Sequence, residues 1–193
     1  QRLLKQPETK PVLLIDEAHN LLTRSVDMFS SDLRLTTLEA AQVVIAGSSR
    51  IDTALNNLIN ELQRLDRESA HNTSWVAKPE AIQIVASSAS DWLMAMATEG
   101  GGTQEASILE AWWDTIRFVE SFQSLTGDYE IIVEQSPETR ILLACVQPGQ
   151  QLQAMFDSAR SIVAFSGTLR PKRWLEARLA TPPDAAWIGF PSP

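Results

Sequence analysis

Residues 12–19 read Val-Leu-Leu-Ile-Asp-Glu-Ala-His, and no other stretch constrains the fold of the chain as strongly. Pro11 precedes four aliphatic residues, and two adjacent carboxylates and a histidine follow them. A short continuous apolar run bounded in this way reads as a strand buried on both faces. The carboxylates then fall at the C-terminal end of that strand, where open α/β sheets gather their ligand sites. In that position Asp16 suits a magnesium ion, held through water, and Glu17 suits the role of base toward a water attacking a nucleotide γ-phosphate. His19 lies just beyond, placed to pass nucleotide state to neighbouring parts. An acidic helix start would give Asp16 and Glu17 a plainer role beside the helix dipole.

The eight residues follow the pattern of a Walker B element in its DEAH form. The usual companion, Gly-x-x-x-x-Gly-Lys-Ser/Thr, is absent from the 193 residues, and with it the lysine that clamps phosphates. The chain opens on Gln1-Arg2-Leu3-Leu4, without an initiator methionine or signal-peptide pattern. It is therefore expected to be part of a longer polypeptide. Hydrophobic content of 44% and charged content of 21% are those of a soluble globular protein. No apolar run approaches the ~20 residues needed to span a bilayer, so no membrane partner is expected. The lone Cys145 sits in an apolar run and is expected to be buried and inert, which fits a reducing, cytoplasmic setting.

The charge is uneven. Residues 26–128 carry six Lys/Arg against fifteen Asp/Glu, whereas the flanks are nearly balanced. The same acidic stretch has almost no strand pattern and predicts four helices. Leu38, Ala41 and Ile45 mark the first, ending at Gly47. Ser49 caps the second, along which Ile51, Leu55, Leu58, Leu62 and Leu65 form a seam. The third begins at Pro79-Glu80 and buries Ile82, Val85, Ala89, Leu93 and Met96, before Gly100-Gly101-Gly102 breaks it. The fourth presents Leu109, Trp112, Ile116, Val119 and Phe122.

Strand signals return near Tyr129. Residues 129–133 and 140–146 read as a hairpin about Ser136-Pro137-Glu138. A helix follows Pro148-Gly149, with Leu152, Met155, Phe156 and Ala159 at helical spacing. Residues 161–165 form a second buried-strand candidate that runs into Ser166-Gly167-Thr168-Leu169. Residues 174–179 predict a short helix before a proline-rich tail. The expected plan is α/β over residues 1–25, an acidic all-α insertion over 26–128, and a return to the first body over 129–193.

Ile15-Asp16-Glu17-Ala18-His19-Asn20-Leu21 resembles motif II of the XPD/DinG-type DNA helicases of superfamily two. Residues 163–171, Val-Ala-Phe-Ser-Gly-Thr-Leu-Arg-Pro, resemble the Ser-Gly-Thr-Leu form of motif III in that family. Phe190-Pro191-Ser192-Pro193 resembles the start of the segment after it. The family inserts a helical Arch domain between these motifs, and the acidic stretch occupies that position. The resemblance implies a RecA-like P-loop NTPase motor interrupted by an Arch-like bundle. It implies ATP and Mg²⁺ as cofactors and single-stranded or forked DNA as partner, with unwinding coupled to repair or replication. Under it, Asp16 holds magnesium, Glu17 is the catalytic base, and His19, Ser166 and Thr168 couple hydrolysis to movement. Relatives differ in carrying a four-cysteine iron–sulfur domain upstream of motif II. One cysteine cannot build that cluster within this chain.

Arg170, Lys172 and Arg173, which follow the Thr168 loop, are candidates for a nucleic-acid backbone. Arg64 and Arg67 are weaker ones, since basic residues also complement a helix C-terminus. Trp112 and Trp113 are expected mainly to fill the bundle core, with base stacking as the alternative. His71 reads as an exposed loop residue. A different class of function, an acidic helical module that recruits a protein partner without catalysis, fits residues 26–128 alone. An unrelated ATPase with a chance Ser-Gly-Thr-Leu is a third reading.

Overall fold

The computed structural model describes residues 10–45, 47, 49–68, 74–100, 105–135, 137–169, 172–179, 181 and 185–189. Among them the fold is mixed α/β, with seven α-helices and two sheets. Two compact units divide the chain, residues 1–28 with 147–193, and residues 29–146.

In the first unit, β1 (Val12–Ile15) pairs in parallel with β6 (Ser161–Ala164), register Val12 to Ser161 through Ile15 to Ala164. The two apolar runs thus share one parallel sheet, as their common exit into motif residues requires. A 3₁₀ turn at Ala18–Asn20 and helix α1 (Leu21–Phe29) follow β1. Helix α6 (Gly149–Asp157) precedes β6, and α7 (Lys172–Arg178) follows it. Neither strand is buried on both faces as its sequence predicts. Leu14 is 71% exposed, and Val12 and Val163 are also open. Only two strands pair here, so one face has no layer packed over it among the described residues.

The second unit holds the main core. Helices α2 (Leu35–Ile45), α3 (Arg50–Glu68), α4 (Pro79–Glu99) and α5 (Ala106–Gln123) pack in cyclic order, with α5 closing against α2. The α3 seam is as expected: Leu55, Leu58, Leu62 and Leu65 are buried. The Asp52 N–H donates to Ser49 Oγ at 3.1 Å, satisfying an otherwise unpaired first-turn donor. At the end of α4 the Gly100 N–H donates to Met96 O, and a Cβ there would lie 2.6 Å from that oxygen. Glycine is needed at Gly100 for close approach. The α5 face is rotated by one residue from the expected one. Ile108, Ala111, Thr115 and Phe118 are its deepest residues, because α5 is packed by α2, α4 and a strand together. Trp113 is 57% exposed rather than core.

That strand is β2 (Ser31–Arg34), one of two that the sequence pattern misses; the other is β3 (Ser74–Ala77). With β4 (Tyr129–Glu134) and β5 (Arg140–Cys145) they form an antiparallel sheet in the order β2-β5-β4-β3. The expected hairpin is present, but it pairs with strands from within the acidic stretch. Residues 129–146 therefore belong to the helical unit, and the crossing back to the first unit comes at 146–147 rather than 128–129. β2 and β3 have four residues each; Ser-Asp-Leu-Arg in β2 has little strand propensity, so pairing makes it a strand, and Trp75-Val76 in β3 is too short a run to stand out. Cys145 is fully buried, as expected.

Candidate functional site

Parallel pairing brings the exits of β1 and β6 side by side. The ladder continues one step past the strands: Phe165 N–H donates to Ile15 O at 3.0 Å, and Ala18 N–H donates to Phe165 O at 3.0 Å. A single residue of one strand exit thus brackets Asp16 and Glu17 of the other. The two carboxylates form a protruding tip whose base is fixed on both sides.

The tip is held by its own short bonds. Glu17 N–H donates to Asp16 Oδ1 at 2.7 Å, and Asn20 N–H to Glu17 O at 2.9 Å. Glu17 has φ 48° and ψ 45°, the left-handed region, and is the only non-glycine residue with positive φ among those described. Such a conformation costs on the order of 1–3 kcal/mol outside glycine and persists where surrounding bonds impose it. Ala18, next in the chain, is buried and anchors the turn from below.

Above this base three side chains converge. His19 Nδ1 lies 2.7 Å from Ser166 Oγ and 3.0 Å from Glu17 Oε2. Ser166 Oγ lies 3.3 Å from Glu17 Oε2 and accepts the Thr168 N–H at 3.2 Å. Asp16, Glu17 and His19 all face solvent. The trio has the composition of a Ser-His-acid triad but not its wiring. Both partners meet the same ring nitrogen, whereas a triad needs hydroxyl and carboxylate on opposite nitrogens.

Of the remaining candidates, Thr168 is exposed, and its Oγ1 makes no hydrogen bond among the described residues. Gly167 has open space where a Cβ would stand and no left-handed φ, so glycine is not required there. Lys172 lies 3.5 Å from Glu176 and 5.3 Å from the Trp187 ring centroid, which engages it locally. Arg173 is exposed. Arg64 donates to Glu61 at 2.8 Å within α3. Arg170, the Arg67 side chain and His71 lie outside the described residues.

Sequence reasoning missed a charged network on the outer face of the antiparallel sheet. Arg34 donates to Asp32 at 2.6 Å and Arg140 to Glu134 at 2.6 Å, with Arg140 also 3.7 Å from Asp32. Hydrogen bonding to these carboxylates raises both guanidinium pKa values. Arg34 and Arg140 stand directly opposite in the β2–β5 register. The like charges are accommodated because a carboxylate flanks each one. The signal for this lay in the charged-apolar-charged alternation of Asp32-Leu33-Arg34 along β2.

Among the described residues no group of three or more His, Cys, Asp or Glu gathers as a metal cage, and no helix is long and apolar enough to cross a membrane. No protein-family model matches the chain, and no curated protein matches it.

Proposed function

We propose that the chain is the central part of an ATP-dependent DNA helicase of the XPD/DinG kind. Residues of the first unit belong to its RecA-like P-loop motor, and the helical unit is an Arch-like insertion. One observation carries the reading. The DEAH turn and the Ser-Gly-Thr-Leu turn, 147 residues apart in sequence, lie side by side at the same end of one parallel sheet, with His19 on Ser166. A chance pair of short motifs has no reason to meet there. The open apolar face of β1 and β6 fits the same reading, since parallel sheets are normally covered on both faces by further layers.

The donor chemistry fits Mg²⁺. Asp16 and Glu17 offer exposed carboxylate oxygens: a backbone N–H occupies Oδ1 of Asp16 and the Ser166–His19 pair engages Oε2 of Glu17, so Asp16 Oδ2 and Glu17 Oε1 remain for a cation or water. Magnesium bound with nucleotide phosphates needs one or two protein carboxylates and keeps water for the rest, so no protein cage is required. Bound Mg²⁺–ATP supplies the phosphoryl group and neutralises its charge. Asp16 would hold the cation through water. Glu17 orients and deprotonates the attacking water, from a backbone position that the Phe165 bonds fix. Ser166 and His19 connect that carboxylate to the β6 loop, so displacement of the loop is felt at Glu17. The clamp lysine must come from residues outside this sequence.

The test is ATP hydrolysis and strand displacement by the polypeptide that carries this chain, together with inspection of its adjoining sequence for a Gly-Lys-Ser/Thr loop. Hydrolysis stimulated by single-stranded DNA and unwinding of a forked duplex are expected. A polypeptide with neither activity would refute the reading. The acidic helical unit has a complete core of its own and an exposed Trp113. Those features favour a protein-recruiting role for that unit, alongside the motor or without it.

A further inference from the structure

We propose that Glu17 fixes the His19 ring with its proton on Nδ1, so that the Ser166 hydroxyl turns onto Glu17 rather than onto the ring. The proton placement follows from counting donors. An ionised carboxylate only accepts; a hydroxyl gives one hydrogen and accepts two; a neutral imidazole has one donor and one acceptor nitrogen. His19 Nδ1, Ser166 Oγ and Glu17 Oε2 form a closed triangle with sides of 2.7, 3.0 and 3.3 Å.

With Nδ1 bare, the Ser166 hydroxyl donates to the ring. Glu17 Oε2 then faces the ring lone pair at 3.0 Å with no proton between them. With the proton on Nδ1, every side joins a donor to an acceptor. Nδ1–H points between Ser166 Oγ and Glu17 Oε2, and the Ser166 O–H goes to Glu17 Oε2. The second acceptor site on Ser166 takes the Thr168 N–H at 3.2 Å. The hydroxyl's capacity is used in full, and only this tautomer avoids an acceptor against an acceptor.

Two consequences follow. Glu17 Oε2 carries two donors, so Oε1 is the oxygen left for a water. His19 Nε2 is left as an acceptor, so whatever docks on the outer edge of the ring must bring a donor. The significance for water activation rests on the helicase reading; the proton placement does not.

Nitrogen-15 NMR of the histidine rings in this chain tests the placement, at a pH where imidazole is neutral. There are two histidines, so His71→Asn leaves His19 as the sole signal. The expected spectrum has a protonated-type Nδ1 and a bare-type Nε2. Glu17→Gln, which removes the anionic acceptor, should shift the ring toward the Nε2–H form that free histidine favours, whereas Ser166→Ala, which leaves that carboxylate beside Nδ1, should keep the Nδ1 form. Should Glu17→Gln fail to fold, Ser166→Ala serves instead, because a ring that reverts to Nε2–H with the carboxylate still in place would show that Glu17 does not hold the proton. A wild-type ring protonated on Nε2, a tautomer indifferent to Glu17→Gln, or one that reverts to Nε2–H in Ser166→Ala, would overturn the proposal. These spectra are read on the chain without nucleotide or DNA. Absence of ATPase activity in the parent polypeptide would therefore refute the helicase reading and leave the proton placement standing.

Discussion

Ala18 and Phe165 are joined by a backbone hydrogen bond of 3.0 Å across 147 residues of sequence, and that bond determines where the Glu17 carboxylate stands. The left-handed backbone of Glu17 lies between this anchor and the last residue of β1. Substitutions of the side chain alone therefore leave the turn in place. In the proposed helicase, Glu17→Gln keeps size and hydrogen bonding but removes the base. ATP turnover is expected to fall about 10²–10⁴-fold, the usual contribution of a positioned acid–base group, with nucleotide binding retained. Binding and single-turnover hydrolysis measured on the same preparation check this. Near-normal DNA-stimulated hydrolysis would remove Glu17 from the role of base.

Ser166 and Thr168 were equal candidates for coupling on sequence, and the structure separates them. Ser166 touches both Glu17 and His19, whereas Thr168 contributes its backbone N–H. The Ser166→Ala, Thr168→Ala double variant of the helicase is expected to lose unwinding far more than ATPase. Ser166→Ala alone should account for most of that loss. Parallel ATPase and strand-displacement assays decide it. Survival of both activities would reduce the hydroxyls to local turn chemistry, and joint loss would assign them to catalysis or folding.

The parallel pairing of β1 with β6 was legible because both are short aliphatic runs ending in polar motif residues. The α3 seam and its Ser49 cap were legible for the same reason: periodicity and capping are local signals. β2 and β3 were not. A four-residue strand such as Ser-Asp-Leu-Arg is stabilised by its neighbours, and no local preference announces it. That omission misplaced the hairpin, since without β2 and β3 the strands β4 and β5 had no partners inside the acidic stretch. Exposure of the outer face of β1 was hidden too, because an aliphatic run says that a face wants cover and not whether cover is present. The left-handed Glu17 and the shared contact on His19 Nδ1 were not legible, because both depend on tertiary bonds.

The buried cluster from Leu33 to Leu143 lies wholly within residues 29–146. That segment, expressed alone, is expected to fold with high helicity and melt cooperatively. Leu58→Ala in it should cost about 2–5 kcal/mol, the range for truncating a buried leucine. Circular dichroism and denaturant titration measure both. A segment without a cooperative transition would show that its core depends on the rest of the chain.

The 193-residue chain by itself is expected to bind ATP and single-stranded DNA weakly or not at all. The phosphate-clamping loop is absent from its sequence, and residues 26–128 carry nine more acidic than basic side chains. Fluorescence anisotropy with a labelled oligonucleotide at physiological salt is the check. Submicromolar, salt-sensitive binding would contradict the expectation and direct attention to Lys172 and Arg173.

Asp114 gives a stability prediction with a definite sign. Burial raises its carboxyl pKa above the ordinary value of 3.8, and the nearby charges of Asp32 and Glu110 raise it further, against the opposing pull of Arg34 and Arg117. Within the window between the unfolded and folded pKa values, the native state holds the extra proton. Stability then falls as pH rises through that window, and the deficit persists at neutral pH. Glu110 is one helical turn before Asp114 on α5, a spacing at which like charges repel. Asp114→Asn removes the carboxylate while keeping its shape. It is expected to raise the melting temperature at pH 7 and to lose that advantage below the ordinary Asp pKa, where the native carboxyl is already neutral. Melting curves of both proteins at pH 7 and pH 3 measure the difference. An equal gain at both values would mean that packing or hydrogen bonding, rather than charge, sets the effect; a loss at pH 7 would mean that the Arg34 and Arg117 charges outweigh the burial and repulsion at Asp114.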